Sequence, residues 1–202
     1  MTPPIPESWE RVERWLAAHA PATHSALLPP ATPDEVVAAE RAIGMAFPEP
    51  LVESLQRHNG TDRGSLPGLL PPFWSLLGTE EMAETWRMRT RIYEESTPEH
   101  ERAEEEAESE AALGPWWHRQ WIPFAEDGGG DELVLDQRPT APLPGRIGRA
   151  DHEQGCRFLP HPMWESLPAL FAATATALET GEAVGSYEPF VTADGELDWD
   201  IP

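Results

Sequence analysis

Trp121-Ile122-Pro123-Phe124-Ala125-Glu126-Asp127-Gly128-Gly129-Gly130-Asp131-Glu132-Leu133-Val134-Leu135-Asp136 reads as a strand, a tight turn and a second strand. Two runs of aromatic and aliphatic residues flank a block made only of Asp and Gly, and that block suits a turn because glycine reaches positive φ without a Cβ clash. Two more short strands are predicted over residues 146–149 and 156–159, separated by turn residues such as Pro144-Gly145. The spacing describes an antiparallel meander. Upstream, Phe73-Trp74-Ser75-Leu76-Leu77 reads as a further short strand.

Helices are predicted on both sides of these strands. Ile5, Trp9, Val12 and Leu16 recur at helical spacing, and Ala20-Pro21 ends that run. After a Pro-rich link, Leu28-Pro29-Pro30, the segment Thr32-Pro33-Asp34-Glu35 carries a cap, a proline at the first helical position and the glutamate of a capping box. Val36, Ala39 and Ile43 form its inward stripe and Gly44 its stop. A third helix carries Leu51, Leu55 and His58 and is expected to end in a left-handed cap at His58-Asn59-Gly60. A fourth opens at Thr79-Glu80-Glu81 with Met82, Trp86 and Tyr93 inside. From Glu94 to Ala112 the chain is almost entirely Glu, Ala, Ser and Arg with no apolar stripe, which marks an acidic helical or flexible insertion. The last helix is predicted from Ser166 to Thr180, with Leu167, Leu170, Phe171, Thr174 and Leu178 inward and Gly181 after it. A small hairpin around Asp194-Gly195 follows. Helices, then strands, then a helix is an α+β pattern: one domain, with a mainly antiparallel or mixed sheet packed against N-terminal and C-terminal helices.

Composition narrows the functional classes. The chain has 202 residues and a formal charge of -22, from 36 acidic residues against 14 basic ones, every one of them Arg. Such a field disfavours nucleic acid and anionic membrane surfaces and steers basic partners inward. No apolar run approaches the roughly 18 residues of a membrane span, and the N-terminus lacks a signal-peptide pattern. The single cysteine, Cys156, excludes an internal disulfide framework. The expectation is a cytoplasmic protein.

No catalytic motif stands out. Asp127-Gly128-Gly129-Gly130-Asp131 is no phosphate loop, because a strand follows it and carboxylates flank the glycines. It also lacks the alternating ligands and terminal glutamate of a calcium loop. His152, Cys156 and His161 form a metal-like cluster, but no second ligand pair at zinc spacing accompanies them. No cofactor or metal is expected, and the chain is read as a non-enzyme. Nine Trp is a high count for this length. Trp9, Trp15, Trp86 and Trp164 fall on helical faces that read as core. Trp116, Trp117 and Trp121 cluster before the meander, where an exposed indole would make a binding anchor. Trp117, Asp127, Asp131 and Glu132 are therefore the candidate partner-binding residues.

The order of these signals resembles the SUKH superfamily, SMI/KNR type, which contains fungal cell-wall-assembly regulators and bacterial toxin-immunity proteins. The matching features are Trp9, the run from Leu28 to Glu35 leading to Glu40 and Gly44, Phe47-Pro48, Leu55 and His58-Asn59-Gly60, followed by 121–125, 127–131 and the strand ending at Asp136. The resemblance covers about residues 5–181, with 182–202 as a C-terminal tail. It implies an α+β fold without established catalysis. The first expectation is an immunity protein that neutralises a cognate polymorphic toxin, a basic domain, by direct binding. The alternative is a regulatory or scaffold protein of the cell-wall-assembly-regulator type without a toxin partner.

Overall fold

Helix α1, Ile5–His19, buries Ile5, Trp9, Val12 and Leu16 along one stripe, as their spacing requires. These positions belong to a computed structural model that describes residues 2–62, 68–100, 115–139, 141–143, 145–158 and 164–200. A short helix α2, Pro21–Ser25, follows directly and was not expected from the sequence. Helix α3, Pro33–Ile43, carries the anticipated capping box: the Thr32 hydroxyl accepts from the Glu35 amide, and the Glu35 carboxylate accepts from the Thr32 amide at 2.7 Å.

Helix α4, Glu49–Arg57, buries Leu51, Ser54 and Leu55. Of the expected left-handed cap at His58-Asn59-Gly60, only Gly60 takes that conformation, at φ 84. His58 is extended, at φ -144 and ψ 127, and no non-glycine residue among those described has positive φ. Asn59 works elsewhere: its Oδ1 accepts from the Thr79 amide at 2.8 Å and so serves the N-terminus of helix α5, Thr79–Ser96. Backbone crowding explains the arrangement, since a Cβ at Gly60 would lie 2.5 Å from the Gly78 nitrogen.

The meander forms as predicted, with one more strand. β1 (Ser75–Leu76), β2 (Trp121–Glu126), β3 (Glu132–Asp136), β4 (Ile147–Asp151) and β5 (Gly155–Arg157) lie side by side in chain order, antiparallel throughout. Only two residues of the expected 73–77 strand pair, and the fifth strand begins one residue earlier than expected. A bulge interrupts the β2–β3 pairing between Pro123 and Ala125, and the Phe124 carbonyl turns outward to accept from the Leu77 amide at 2.9 Å.

Both faces of this sheet are covered. Ile122, Phe124, Leu133, Leu135 and Ile147 join the main core with α1, α3, α4 and helix α6, Leu167–Thr180. On the other face Trp121, Val134, Ala150, Cys156 and Phe158 pack with Trp117 and with Tyr93 of α5. Trp9 links the helical layer, donating to Ser54 Oγ at 3.0 Å and tilting against Phe171 and His58 at 4.9 Å. The tail forms the expected hairpin, β6 (Glu188–Val191) with β7 (Leu197–Asp200). It docks on α2, where the Leu197 amide donates to Thr23 Oγ1 at 2.8 Å, and Leu197 and Trp199 are buried. Six helices are present among the described residues. The acidic stretch 94–112 enters this picture only at its start, where 94–96 complete α5; residues 101–114 lie outside the described residues, as does His161.

Candidate functional site

The β2–β3 hairpin builds its own turn. Asp127 Oδ1 accepts from the Gly129 amide at 2.7 Å and the Asp131 amide at 3.1 Å, while Gly128 and Gly130 take φ of 72° and 109°. This bears out the reading of 127–131 as a tight turn. It also engages Asp127 in closing that turn.

Asp131 and Glu132 are buried, and arginines meet both. Asp131 Oδ2 accepts from Arg149 Nη2 at 2.7 Å, and its Oδ1 lies 2.8 Å from His152 Nδ1. Burial pushes the Asp131 carboxyl up, but the bonds from Arg149 and His152 outweigh it and hold it below the usual range. The same contact raises His152. Asp131, Asp151 and His152 are close enough to share a cation, yet both Asp131 oxygens already accept hydrogen bonds, so an ion would have to displace the Arg149 and His152 contacts.

Glu132 behaves differently. Arg89 of α5 donates to its Oε1 from Nε at 2.8 Å and from Nη2 at 2.5 Å, and also bonds the Gly130 carbonyl. Burial nevertheless dominates, and with the Asp131 and Glu126 charges nearby it pushes the Glu132 carboxyl up to about 7. Glu126 stands directly opposite Glu132 in the β2–β3 register. Between this hairpin and α5 lies a cleft of about 360 Å³, lined by Glu84, Met88 and Arg89 of the helix and by Glu126, Asp131 and Glu132 of the hairpin.

Trp117 is not on this surface. It is 0% exposed, donates to Thr90 Oγ1 at 3.0 Å and meets Trp121 edge-on, so the expectation of an indole anchor at this position is corrected. Asp131 and Glu132 share part of that fate, since their carboxylates are inward and paired. The sequence reading missed Arg89, Arg149, Arg138 and Arg146. Arg89 lies 43 residues from its partner, and no local pattern joins the two.

A second charged group closes the other sheet face. Fully buried Asp136 accepts from Arg138 Nε and Nη2 and from Arg146 Nε, each at 2.9 Å. Burial pushes Asp136 up, but these arginines hold it below the ordinary aspartate range. The guanidiniums lie over Trp121 and Phe158. Burial and Arg138 together push neighbouring His118 down to about 4. Cys156, buried beside this group, has its thiol pushed well up by burial and offers no ready thiolate.

Fold and site together define a single α+β domain on a five-stranded antiparallel meander, with its hairpin carboxylates paired internally beside an acidic cleft. The chain belongs to the SMI1 / KNR4 family (SUKH-1), whose profile matches residues 30–169. It is 28% identical over 182 residues to the cell wall biosynthesis/cell cycle regulator smi1 of Schizosaccharomyces pombe, covering 85% of this chain and 36% of that protein. Identity is 24% to a glucan synthesis regulatory protein of Neurospora crassa, over 67% of this chain and 31% of the relative. A KNR4/SMI1 homolog of Eremothecium gossypii is 30% identical across 40% of this chain and 13% of its own length. The chain thus spans about a third or less of the curated relatives it matches. No helix among the described residues is long and apolar enough to cross a membrane.

Proposed function

We propose that this chain is a non-enzymatic protein-binding module with a regulatory or scaffold role. The observation that carries the reading is family membership together with the relatives' names, which describe regulators of cell-wall and glucan synthesis. The geometry is compatible: the hairpin carboxylates and Asp136 hold the fold together, and an acidic cleft beside the exposed apolar residues Met88 and Ile92 faces outward. A basic protein surface is the complement of that face. Neutralisation of a basic toxin, the first expectation from sequence, draws support from the charge of -22. The relatives' names fit regulation without a toxin partner better.

The test is recovery of the protein from its own host after mild cross-linking, paired with deletion of its gene. A regulatory module yields the same protein partner at fixed stoichiometry and a growth or envelope phenotype with no toxin present. A chain recovered alone, whose loss matters only when a neighbouring toxin is expressed, overturns the reading in favour of immunity.

A further inference from the structure

Three side chains form one row across the end of the meander. Trp121 stands opposite Asp136 in the β2–β3 register, and the Asp136 amide donates to the Arg146 carbonyl at the same level, just before β4. Residues directly opposite one another in adjacent strands share a sheet face. Phe158 ties this face together: its ring lies 5.5 Å from that of Trp121, 3.9 Å from the Arg146 guanidinium and 5.3 Å from that of Arg138.

The charges here do not cancel. Arg138 and Arg146 share Asp136, and among the described residues no second carboxylate pairs with either arginine. His118, pushed down to about 4, is neutral at neutral pH, and buried Cys156 keeps its proton. The group therefore carries one net positive charge, on arginine side chains that are only 4% and 9% exposed. Its hydrogen bonds are incomplete as well. Arg146 directs Nε to Asp136, but its Nη2 is buried with no acceptor among the described residues, and so is the indole Nε1 of fully buried Trp121. A buried donor without an acceptor is costly, and more so on a charged group. Water would satisfy the donors and leave the charge uncompensated. An anion answers both.

We propose that the Trp121–Asp136–Arg146 row holds one small monovalent anion of the halide class, bound by Arg146 Nη2 and Trp121 Nε1 beside the Arg138 guanidinium. Both donors are closed off from solvent, so a partner's carboxylate does not reach them from outside, whereas a single ion enters when the structure opens locally. The site is independent of which protein the domain binds. Its consequence is a folding stability linked to halide concentration.

The experiment is urea unfolding of the full chain at pH 7 and fixed ionic strength, with sodium chloride replacing sodium gluconate stepwise. For one bound ion the logarithm of the unfolding constant falls with the logarithm of chloride concentration, toward a slope of about -1 once the site fills. Arg146→Gln, which leaves Asp136 paired with Arg138, should abolish that slope. Trp121→Phe keeps a ring in place and removes the second donor, and should weaken chloride binding about tenfold; it carries the test by itself where Arg146→Gln does not fold. Arg11→Gln, on α1 and paired with Glu179, lies outside the group and should keep the wild-type slope. Crystals grown in sodium bromide give the direct reading, an anomalous scattering peak beside Arg146 Nη2 and Trp121 Nε1. A wild type without a chloride slope, a slope unchanged by Arg146→Gln and Trp121→Phe, a slope lost equally in Arg11→Gln, or water without bromide at the two donors each overturns the proposal.

Discussion

Glu132→Gln should stabilise the protein above neutral pH, although it removes a charge from an ion pair. Two effects compete at this residue. Arg89 favours the ionised carboxylate, whereas burial and the neighbouring Asp131 and Glu126 charges oppose it, and the balance leaves the group at about 7 rather than 4.5. A folded-state value above the unfolded one means that the native protein binds the extra proton between those limits, so stability falls as pH rises from 4.5 to about 7. At about 1.4 kcal/mol per pH unit the accumulated loss is about 3 kcal/mol, complete above neutrality. Glutamine keeps the oxygen that accepts from Arg89 and cannot ionise, so the variant escapes this loss. Urea unfolding of both proteins at steps from pH 4.5 to pH 8 measures the effect, and the comparison cancels the general self-repulsion of an acidic chain. Near pH 4.5 the two should be alike; by pH 8 the variant should lead by about 3 kcal/mol. A pH-independent difference, or a less stable variant at pH 8, refutes the reasoning by showing that the Arg89 pair outweighs burial.

Asp136→Asn leaves Arg138 and Arg146 buried without a counter-charge and should cost about 3–5 kcal/mol in urea unfolding at pH 7. Because Asp136 is held below its ordinary value, that contribution is present above the usual aspartate range and disappears as acid protonates it, so the variant and wild type should converge at low pH. Trp117→Ala empties a fully buried site and strands the Thr90 hydroxyl; a loss of about 3–5 kcal/mol is expected in chemical denaturation. Asn59→Ala removes the acceptor of the Thr79 amide and should lower stability by about 1 kcal/mol, with lost helicity confined to the start of α5 by amide exchange.

Local signals predicted local structure well. The Thr32-Pro33-Asp34-Glu35 capping box, the stripes of α1, α3 and α6, and the 127–131 turn each depend on residues within one or two helical turns, or on the φ freedom of glycine. Strand positions were legible for the same reason, because short runs bounded by turn residues need no distant information. Errors arose where a residue's partner was remote. His58-Asn59-Gly60 reads locally as a left-handed cap, but Asn59 caps a helix that starts 20 residues later. Trp117 reads as a free aromatic ahead of the sheet, but α5 covers the second sheet face and encloses it.

The strong acidity of the chain was plain from composition, and so was its α+β character, since one follows from counting and the other from hydrophobic period. Which carboxylates face outward was not. Arg89, Arg138, Arg146 and Arg149 turn three acidic residues of the hairpin and sheet into internal ion pairs, at separations from 2 to 43 residues. Charge adds along a sequence without regard to order, but pairing depends on distance in space and on how little water remains between the groups. Only the packing of α5 across the sheet brought Arg89 to Glu132, so that a carboxylate the sequence counts as surface charge is a buried, paired group.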